Sequence, residues 1–394
     1  MTDIAESVVS VELLPDVVAR PLRILFFAWN YYPSPTGGAE RQARLQAEEL
    51  TRRGHEVTVV CPRWPGTESA AIGGVAVRRL YRSRLRGLGR ITYLFSIVGF
   101  LLREGRMYDL MHVHLANVQT DVIVPIAMVL RRPVYAKLAC GGEAGEFRRL
   151  QRVARLTRWF GIRHATRVQA LSSEIAVELD HIGVDPRRVV RLANGLDLDS
   201  FSPASVEVRL QLRRELDLPH HETLVLFVGR FAEYKGISDL LAVWQTVHGG
   251  GATLVLVGTA DTDRPIEGRL SGERVIVRDF TNEVVRYMKA CDVFVYPSHA
   301  DGMSNAVLEA LSCGMACVVS TSGATAEIVT DGVDALLFEP RDRGALAEKL
   351  SKVLADEVLR RCLQDAARDT ATEFDIRGVV DRLEIEYRTM VRGQ

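Results

Sequence analysis

Two carboxylates, Asp301 and Glu309, frame the part of this chain that is best suited to bind a polar ligand. Between them lie a glycine, two small polar residues and the start of an apolar helical pattern. The apolar run just upstream, residues 294–296, is typical of the end of a buried strand. A strand followed by a polar loop and a helix N-terminus offers N–H groups to anions, and carboxylates accept hydrogen bonds from hydroxyls. The segment therefore predicts a site for a phosphorylated or polyhydroxylated ligand.

Two cations lie in a second polar loop, residues 229–236, which follows a predicted strand. Arg230 offers a planar fork of donors and Lys235 a compact charge, and together they suit a diphosphate. No acidic cluster in the sequence is typical of a Mg²⁺ site, so we expect no metal and assign the negative charge of a ligand to these cations and to backbone N–H groups. The alternative is a solvated loop in which the cations pair with Glu233. Spacing alone leaves both interpretations open.

Gly37 and Gly38 precede a predicted helix at residues 39–53, and glycines there let a ligand approach the helix N-terminus closely. His114 ends a predicted strand at residues 110–114, and His112 lies on the same strand face two residues earlier. A single histidine is more often structural than catalytic, and most Gly-Gly pairs are plain loops. Either histidine could be the structural one.

Short apolar runs alternate with helical patterns along the chain, which is typical of parallel α/β sheets. Prolines mark a predicted linker at residues 200–221. We therefore expect an α/β fold of two tandem Rossmann-like domains, residues 1–200 and 201–394, that face each other across a cleft at the carboxyl ends of the strands. We expect a last helix, residues 375–394, to pack back on the first domain. The predicted strands are residues 23–29, 57–60, 75–79, 110–114, 134–138 and 167–171, then 223–228, 253–257, 275–278, 292–296, 316–320 and 335–338.

Composition places the chain among soluble enzymes. Its 394 residues suit two domains, and the apolar content of 47% with 25% charged residues is ordinary for globular proteins. The six cysteines are scattered and predict reduced thiols rather than a zinc site. The N-terminus has no long apolar core and no segment is long enough to span a membrane, so we expect a cytoplasmic location.

The net charge of zero hides an asymmetry between the two halves. Residues 1–195 carry 28 Lys and Arg against 18 Asp and Glu, a net charge of +10, and the remainder carries −10. This difference is compatible with an anionic partner of the first half, such as a phospholipid surface or a phosphorylated acceptor, or simply with solvated arginines.

Two arginine-rich segments contribute to that charge. Arg82, Arg84, Arg86 and Arg90 precede a predicted apolar helix at residues 91–102, and residues 148–167 carry seven arginines. Such a segment either packs its apolar side on the core with solvated arginines or lies on an anionic membrane, so peripheral membrane association stays open. Aromatic residues are too sparse among these arginines to favour nucleic-acid binding.

Several of these segments together resemble glycosyltransferase family 4, a family of GT-B glycosyltransferases. Their order and spacing, more than any one motif, carry the resemblance, which covers nearly the whole chain from about residue 23. The chain departs from the family at residue 301, where the family usually has Glu and this chain has the shorter Asp. The matching segments are Gly37-Gly38, residues 112–114, residues 194–197, residues 228–236 and residues 296–314.

The resemblance implies a retaining transfer of a hexosyl group from a nucleotide sugar, most commonly a UDP-sugar, to a hydroxyl acceptor. The nucleotide sugar would be a substrate, so no cofactor is expected. It also implies roles for particular residues. Arg230 and Lys235 would stabilise the leaving diphosphate, Glu309 would bind the ribose, and His114 would contact the donor sugar at the reacting centre. The remaining donor-binding residues would be Gly37, Gly38, Asp301, Gly302, Met303, Ser304 and Asn305.

Other functions remain open on the sequence. A sugar phosphorylase or an epimerase could share this scaffold. The chain could also be a nucleotide-sugar-binding protein with weak catalysis, in which Asp301 in place of the usual Glu would be a sign of lost activity. An oxidoreductase is disfavoured because no G-x-G-x-x-G turn follows the first strand. The acceptor could be a small molecule, a saccharide or a lipid-linked sugar, and the sequence does not indicate the oligomeric state.

Overall fold

Two separate β-sheets organise the part of the chain that the structure describes. The computed structural model describes residues 20–32, 37–68, 70–85, 87–139, 159–247, 251–260 and 272–393. The first sheet has the strand order β3-β4-β2-β1-β5-β6-β7-β8, and all neighbours are parallel except β3 and β4. Its strands are β1 Arg23–Phe27, β2 Glu56–Pro62, β3 Ala70–Ile72, β4 Val75–Leu80, β5 Leu110–Val113, β6 Val134–Lys137, β7 Arg167–Ala170 and β8 Val189–Arg191.

The second sheet is parallel throughout, with the order β11-β10-β9-β12-β13-β14. The chain therefore moves outward from β9 in one direction and then from β12 in the other. In the first sheet the same reversal lies between β1 and β5. The strands of the second sheet are β9 Thr223–Val228, β10 Ala252–Val257, β11 Val275–Arg278, β12 Val293–Tyr296, β13 Ala316–Ser320 and β14 Ala335–Phe338.

Helices cover the faces of both sheets. The sheets are buried on both sides, and accordingly β1, β5, β10, β12 and β13 consist mainly of buried apolar residues. We call the first sheet with its helices the first lobe and the second sheet with its helices the second lobe. The described helices that lie between strands of the first sheet are α1 Gly38–Arg52, α2 Leu88–Glu104, α3 Val118–Val129, α4 Phe160–His164 and α5 Ser173–His181. Those that follow are α6 Val206–Glu215, α7 Ile237–Val247, α8 Val284–Ala290, α9 Asn305–Ser312, α10 Thr325–Ile328, α11 Arg343–Ala355, α12 Glu357–Thr372 and α13 Ile376–Arg392.

The structure confirms the predicted α/β class and every predicted strand, but it adds two strands that the sequence analysis missed. Strand β3 is an edge strand of three residues that forms a hairpin with β4 through Gly73 and Gly74, both at positive φ. Strand β8 is equally short and ends in an arginine. Three residues are too few to show a period of two, so neither strand has a clear sequence signal.

The predicted linker at residues 200–221 contains helix α6, which the sequence analysis did not predict. Ser205 caps this helix by accepting a hydrogen bond from the N–H of Val208. The helix is strongly polar, and among its residues only Arg213 is buried. With almost no apolar stripe, its helical period was not visible in the sequence.

The last helix, α13, packs against the first sheet although it follows the second lobe in the chain. Val380, Leu383 and Tyr387 are fully buried in a cluster with Ile24 and Phe26 of β1. The helix reaches that sheet where residues 374–376 pair with Leu196 through two backbone hydrogen bonds. The chain thus passes between the lobes twice, near residue 196 and near residue 375, and these two segments lie side by side.

We expect Leu383→Ala to lower the free energy of unfolding by about 2–5 kcal/mol, because it removes a fully buried side chain and leaves a cavity. Urea denaturation measures this loss. The matched control is Ile385→Ala on the same helix, where the side chain is 61% exposed, and we expect a change within about 0.5 kcal/mol. Equal effects of the two substitutions would contradict the packing of α13.

Candidate functional site

The candidate residues lie at the two points where the strand order reverses. Arg230 follows β9 and Tyr296 ends β12, at the crevice of the second sheet. His114 follows β5 at the crevice of the first sheet. Ligands of open parallel sheets bind outside the carboxyl ends of the strands at such points. The lobes touch between the crevices, where Asn305 Nδ2 donates a 3.0 Å hydrogen bond to the carbonyl of Gly38.

Three largely buried polar groups converge at the crevice of the second sheet. The Nζ of Lys235 lies 2.7 Å from Oδ2 of Asp301 and 2.6 Å from the hydroxyl of Tyr296. The same hydroxyl lies 2.6 Å from Oδ2 of Asp301. The side chains of Lys235 and Asp301 are each 14% exposed. Each group thus makes hydrogen bonds with both of the others, and they tie the loop after β9 to the loop after β12.

The charges in this cluster stabilise each other. Burial alone would raise the pKa of Asp301, but the neighbouring ammonium of Lys235 lowers it below its usual value. Burial alone would lower the pKa of Lys235, but Tyr296 and Asp301 raise it. Both groups are therefore ionised at neutral pH. The predicted alternative, pairing with Glu233, is wrong for Lys235, because the carboxylate of Glu233 instead accepts a 2.7 Å hydrogen bond from Ser238.

Arg230 has a different environment from Lys235. Its side chain is exposed, and it forms no ion pair with any residue that the structure describes. The loop that carries both cations packs tightly on the residue after β12. Gly236 has φ +70°, and a Cβ there would lie 1.9 Å from the carbonyl oxygen of Pro297. The loop is thus held firmly while the guanidinium stays accessible.

The loop between β12 and α9 presents backbone and side-chain groups to the same crevice. The N–H of Gly302 donates a 2.9 Å hydrogen bond to Oδ1 of Asp301. Ser304 is the N-cap of α9, and its hydroxyl accepts from the N–H of Val307. The carboxylate of Asp301 is left to bind Lys235.

Amide groups join the two lobes beside this loop. Asn194 donates from its backbone N–H to the sulfur of Met303 and from Nδ2 to the carbonyl of Met303, at 3.1 and 3.2 Å. The Oδ1 of Asn305 accepts from Asn194 at 2.9 Å and from Gln42 at 3.2 Å. The side chain of Gln42 also makes two hydrogen bonds to the backbone of Gly195. Met303 and Asn305 are therefore part of the junction between lobes.

Glu309, on α9, is paired across the junction rather than left free. Its Oε1 lies 2.8 Å from Nη1 of Arg41 on α1, and its side chain is 5% exposed. Burial raises the pKa of Glu309 to about 7, against the opposing effect of Arg41. A carboxylate that ionises near neutral pH can accept hydrogen bonds from ligand hydroxyls once it is ionised.

The glycine pair lies at the start of α1, next to the same junction. Gly37 precedes the helix, and its N–H donates a 3.1 Å hydrogen bond to the carboxylate of Glu40. A Cβ on Gly38 would lie 3.1 Å from Nδ2 of Asn305. The structure thus brings this pair against the loop of the second lobe, and the close contact favours glycine at position 38.

The two histidines of the first lobe differ in their partners. Their rings stack at 3.9 Å, and Nδ1 of His112 lies 2.5 Å from the hydroxyl of Tyr387 on α13. Both ring nitrogens of His114 are buried, and neither has a hydrogen-bond partner among the described residues. Burial lowers the pKa of each histidine well below its usual value, and the positive charge of Lys137 contributes. Both rings are therefore neutral at pH 7.

Some polar residues of the site were not predicted from sequence. They include Arg41 and Gln42, which lie near the start of α1. Their position just after the glycine pair could have indicated that they belong to the site. Lys137 is 1% exposed at the end of β6, and its Nζ donates to Oδ1 of Asn194 at 2.7 Å. A lysine inside an apolar strand pattern was the signal there. Tyr296 gave no signal, since a tyrosine that ends a strand is ordinary.

Two family models match this chain, one in each lobe. The model described as "Glycosyltransferase Family 4" matches residues 36–200. The model described as "Glycosyl transferases group 1" matches residues 222–356. The first matched segment contains strands β2 to β8 of the first sheet but not β1, and the second contains every strand of the second sheet. Together the two segments cover most of the chain.

Curated relatives extend over nearly the full length. The chain is 26% identical over 377 residues to the UDP-Gal:alpha-D-GlcNAc-diphosphoundecaprenol alpha-1,3-galactosyltransferase of Escherichia coli, covering 90% of this chain and 94% of that protein. It is 28% identical over 350 residues to the D-inositol 3-phosphate glycosyltransferase of Geodermatophilus obscurus, covering 80% and 75%.

Solved structures share the architecture. Anabaena Alr3699/HepE in complex with UDP-glucose matches 93% of this chain and 100% of its own, with a TM-score of 0.79 at 20% identity. WaaG, a glycosyltransferase involved in lipopolysaccharide biosynthesis, matches 91% of this chain and 98% of its own, with a TM-score of 0.72 at 19% identity. At such identities the likeness establishes the fold alone. With the family models and the relatives, it shows that this chain is a GT-B enzyme of glycosyltransferase family 4.

Proposed function

We propose that this glycosyltransferase moves a hexosyl group from a UDP-sugar to a hydroxyl acceptor, with retention of anomeric configuration and without a metal. The observation that carries the proposal is the pairing of a firmly held Lys235 with an accessible Arg230 at the strand reversal of the second sheet. These two cations, with the N–H groups of the adjacent loop, suit a diphosphate that leaves during transfer. The name of the Escherichia coli relative specifies UDP-Gal, and HepE was solved with UDP-glucose.

Donor binding divides between the two lobes in this proposal. Glu309 binds the ribose hydroxyls, and Asp301 with residues 302–305 binds the sugar and the diphosphate. Gly37 and Gly38 approach the diphosphate from the first lobe. Arg41 is an added candidate, because its Nη1 lies 2.8 Å from Oε1 of Glu309. Binding of a ribose would therefore exchange part of this ion pair for hydrogen bonds to hydroxyls.

The chemistry that we propose is substitution on one face of the sugar. The acceptor oxygen forms a bond to the anomeric carbon as the bond from that carbon to the diphosphate oxygen breaks. The electron pair of the broken bond stays on the diphosphate, which takes the acceptor proton from the same face. Arg230 and Lys235 stabilise the charge that develops there, and loss of one such donor typically costs about 3 kcal/mol of barrier. His114, neutral and unpartnered, hydrogen-bonds the donor sugar.

The first lobe is the proposed acceptor lobe. Its net charge of +10 over residues 1–195 favours an acceptor that carries a phosphate or diphosphate. Both named relatives act on such acceptors, a diphospholipid-linked sugar and an inositol phosphate. We also propose a cytoplasmic location, since Cys61, Cys291, Cys313, Cys317 and Cys362 are all free thiols.

Thermal-shift measurements with UDP-, GDP-, ADP- and TDP-sugars test the donor, and we expect the UDP-sugar to stabilise the protein most. A ligand at 100 times its Kd adds about 2.7 kcal/mol of stability. The double variant Lys235→Met/Asp301→Asn removes both buried charges at similar volume. We expect it to lose this stabilisation and about 100-fold or more of the transfer rate.

The control for that variant is Lys349→Met/Asp331→Asn, which removes a 3.1 Å ion pair from the same lobe, away from the crevice. It should keep both properties. Near-normal transfer by the Lys235/Asp301 variant would refute the assigned role. Stabilisation by a UDP-sugar without transfer to any acceptor would favour a binding protein instead.

The two histidines should separate into a catalytic and a structural residue. We expect His114→Leu to lower the transfer rate about 100-fold while leaving the free energy of unfolding unchanged or higher, because it removes buried nitrogens that have no partner. We expect His112→Leu to lower that free energy by about 1–3 kcal/mol, because the Tyr387 hydroxyl loses its partner. Steady-state kinetics and urea denaturation of both variants distinguish the catalytic histidine from the structural one. The reverse pattern would place His112 at the reacting centre.

Donor binding should strengthen as pH rises through about 7, the pKa of buried Glu309. Below that pH the carboxyl is protonated, and above it the carboxylate accepts hydrogen bonds from ribose hydroxyls. The KM of an intact UDP-sugar, measured from pH 5.5 to 8.5, should fall with a midpoint at about 7, and Glu309→Gln should abolish the midpoint.

Ionisation of Glu309 should strengthen donor binding but lower the stability of the folded protein. Since the folded protein holds the carboxyl proton more tightly than the unfolded chain, ionisation of Glu309 should lower the free energy of unfolding as pH rises from 4.5 to about 7. Glu309→Gln should lack this contribution. Glu283→Gln, on the exposed surface of the same lobe, is the control. A KM that is independent of pH in the unsubstituted enzyme would rule out ribose binding by an ionised Glu309.

A further inference from the structure

Helix α2 buries one face in the first lobe and exposes a second apolar face. Tyr93, Ile97 and Leu101 are fully buried against the sheet. On the outer side, Phe95 is 72% exposed and Leu102 is 66% exposed. The exposed apolar residues recur at intervals of three, four and seven, which places them in one stripe along the helix. We call this stripe and the loop before it the α2 face, which comprises Tyr81, Leu85, Leu88, Ile91, Phe95 and Leu102.

Arginines without acidic partners surround the α2 face. One groove of about 670 Å³ runs between α2 and the end of β4, and its charged lining includes Arg78 and Arg103 with a single acidic residue, Glu104. A second groove of about 1180 Å³ shares Tyr81, and its charged lining is Arg63, Arg82 and Arg84 with one acidic residue, Glu68. None of these arginines forms an ion pair with a described residue. Such a concentration of unpaired cations indicates an anionic partner.

The position of the α2 face relates it to the cleft. Trp29 lies just after β1, at the strand reversal of the first sheet. The ring of Tyr93 lies 5.6 Å from that of Trp29, and the guanidinium of Arg90 lies 5.9 Å from it. The first turns of α2 therefore border the crevice that holds His114. A partner bound to the α2 face would be next to the mouth of the cleft.

We propose that the α2 face docks on the surface of an anionic phospholipid bilayer. The apolar stripe enters the interface between headgroups and acyl chains, and the surrounding arginines contact lipid phosphates. A second copy of the chain fits less well, because a two-fold contact would bring the same arginines together. None of the described helices has the length and hydrophobicity of a membrane span.

Sedimentation with vesicles tests this inference on the full chain. We expect binding to vesicles of phosphatidylglycerol and phosphatidylcholine, and at least tenfold weaker binding to phosphatidylcholine alone. Arg84→Gln/Arg103→Gln should weaken binding about 25-fold, at about fivefold for each arginine. Phe95→Ser/Leu102→Ser should weaken it about tenfold or more. Transfer to a water-soluble acceptor should stay within twofold for both variants.

Matched controls come from other surfaces of the molecule. Val358→Ser/Ile385→Ser removes apolar side chains that are 74% and 61% exposed, and it should leave vesicle binding unchanged. Arg214→Gln/Arg392→Gln removes two exposed arginines, one on α6 and one on α13, and should also have little effect on vesicle binding.

Three results would overturn the inference: no binding to either vesicle, equal binding to both, or binding that the α2 variants do not weaken. Dimers in size-exclusion chromatography that Phe95→Ser/Leu102→Ser dissociates would also overturn it, since the face would then be a self-association interface. The inference does not depend on the proposed donor. Failure of the UDP-sugar to stabilise the protein would leave the vesicle result intact.

Discussion

The buried ion pair between Lys235 and Asp301 is the interaction on which the candidate site depends. It joins the loops after β9 and β12, the two strands between which the order of the second sheet reverses. Two opposite charges at 2.7 Å with a shared tyrosine hydroxyl offset the cost of burying each of them, whereas removal of one partner alone would leave an uncompensated charge. The pair therefore fixes the spacing of the crevice. It also keeps a cation in place where we propose that the diphosphate leaves.

A second constraint acts between the lobes. The side chains of Gln42, Asn194 and Asn305 form a hydrogen-bonded group at the point where the chain first passes between the sheets, and Arg41 adds an ion pair to Glu309. These contacts are polar, so they resemble the interfaces of domains that move relative to each other. In contrast, α13 is anchored in the first lobe by fully buried apolar residues. Any closure of the cleft would thus move the polar junction while α13 stays with the first sheet.

The resemblance of motifs to a family was more informative than any single residue. Gly37-Gly38, Arg230, Lys235, Asp301 and Glu309 are each unremarkable in isolation, and only their order pointed to a nucleotide-sugar enzyme. The structure adds what each residue contacts. Lys235 binds Asp301 rather than Glu233, and Glu309 binds Arg41. His112 forms a hydrogen bond to Tyr387 on α13, whereas His114 has no hydrogen-bond partner in the part of the chain that the structure describes.

The sequence by itself determined the α/β class, the strands with at least four residues and the family, because apolar periodicity and turn residues are local signals. It could not reveal β3, β8 or α6, whose residues are too few or too polar to show a period. The tertiary structure alone decided the partners of Lys235, Glu309 and His112, since each partner lies far away in the chain. Ion pairs and buried hydrogen bonds depend on distances of about 3 Å between such groups, and no local pattern encodes those distances.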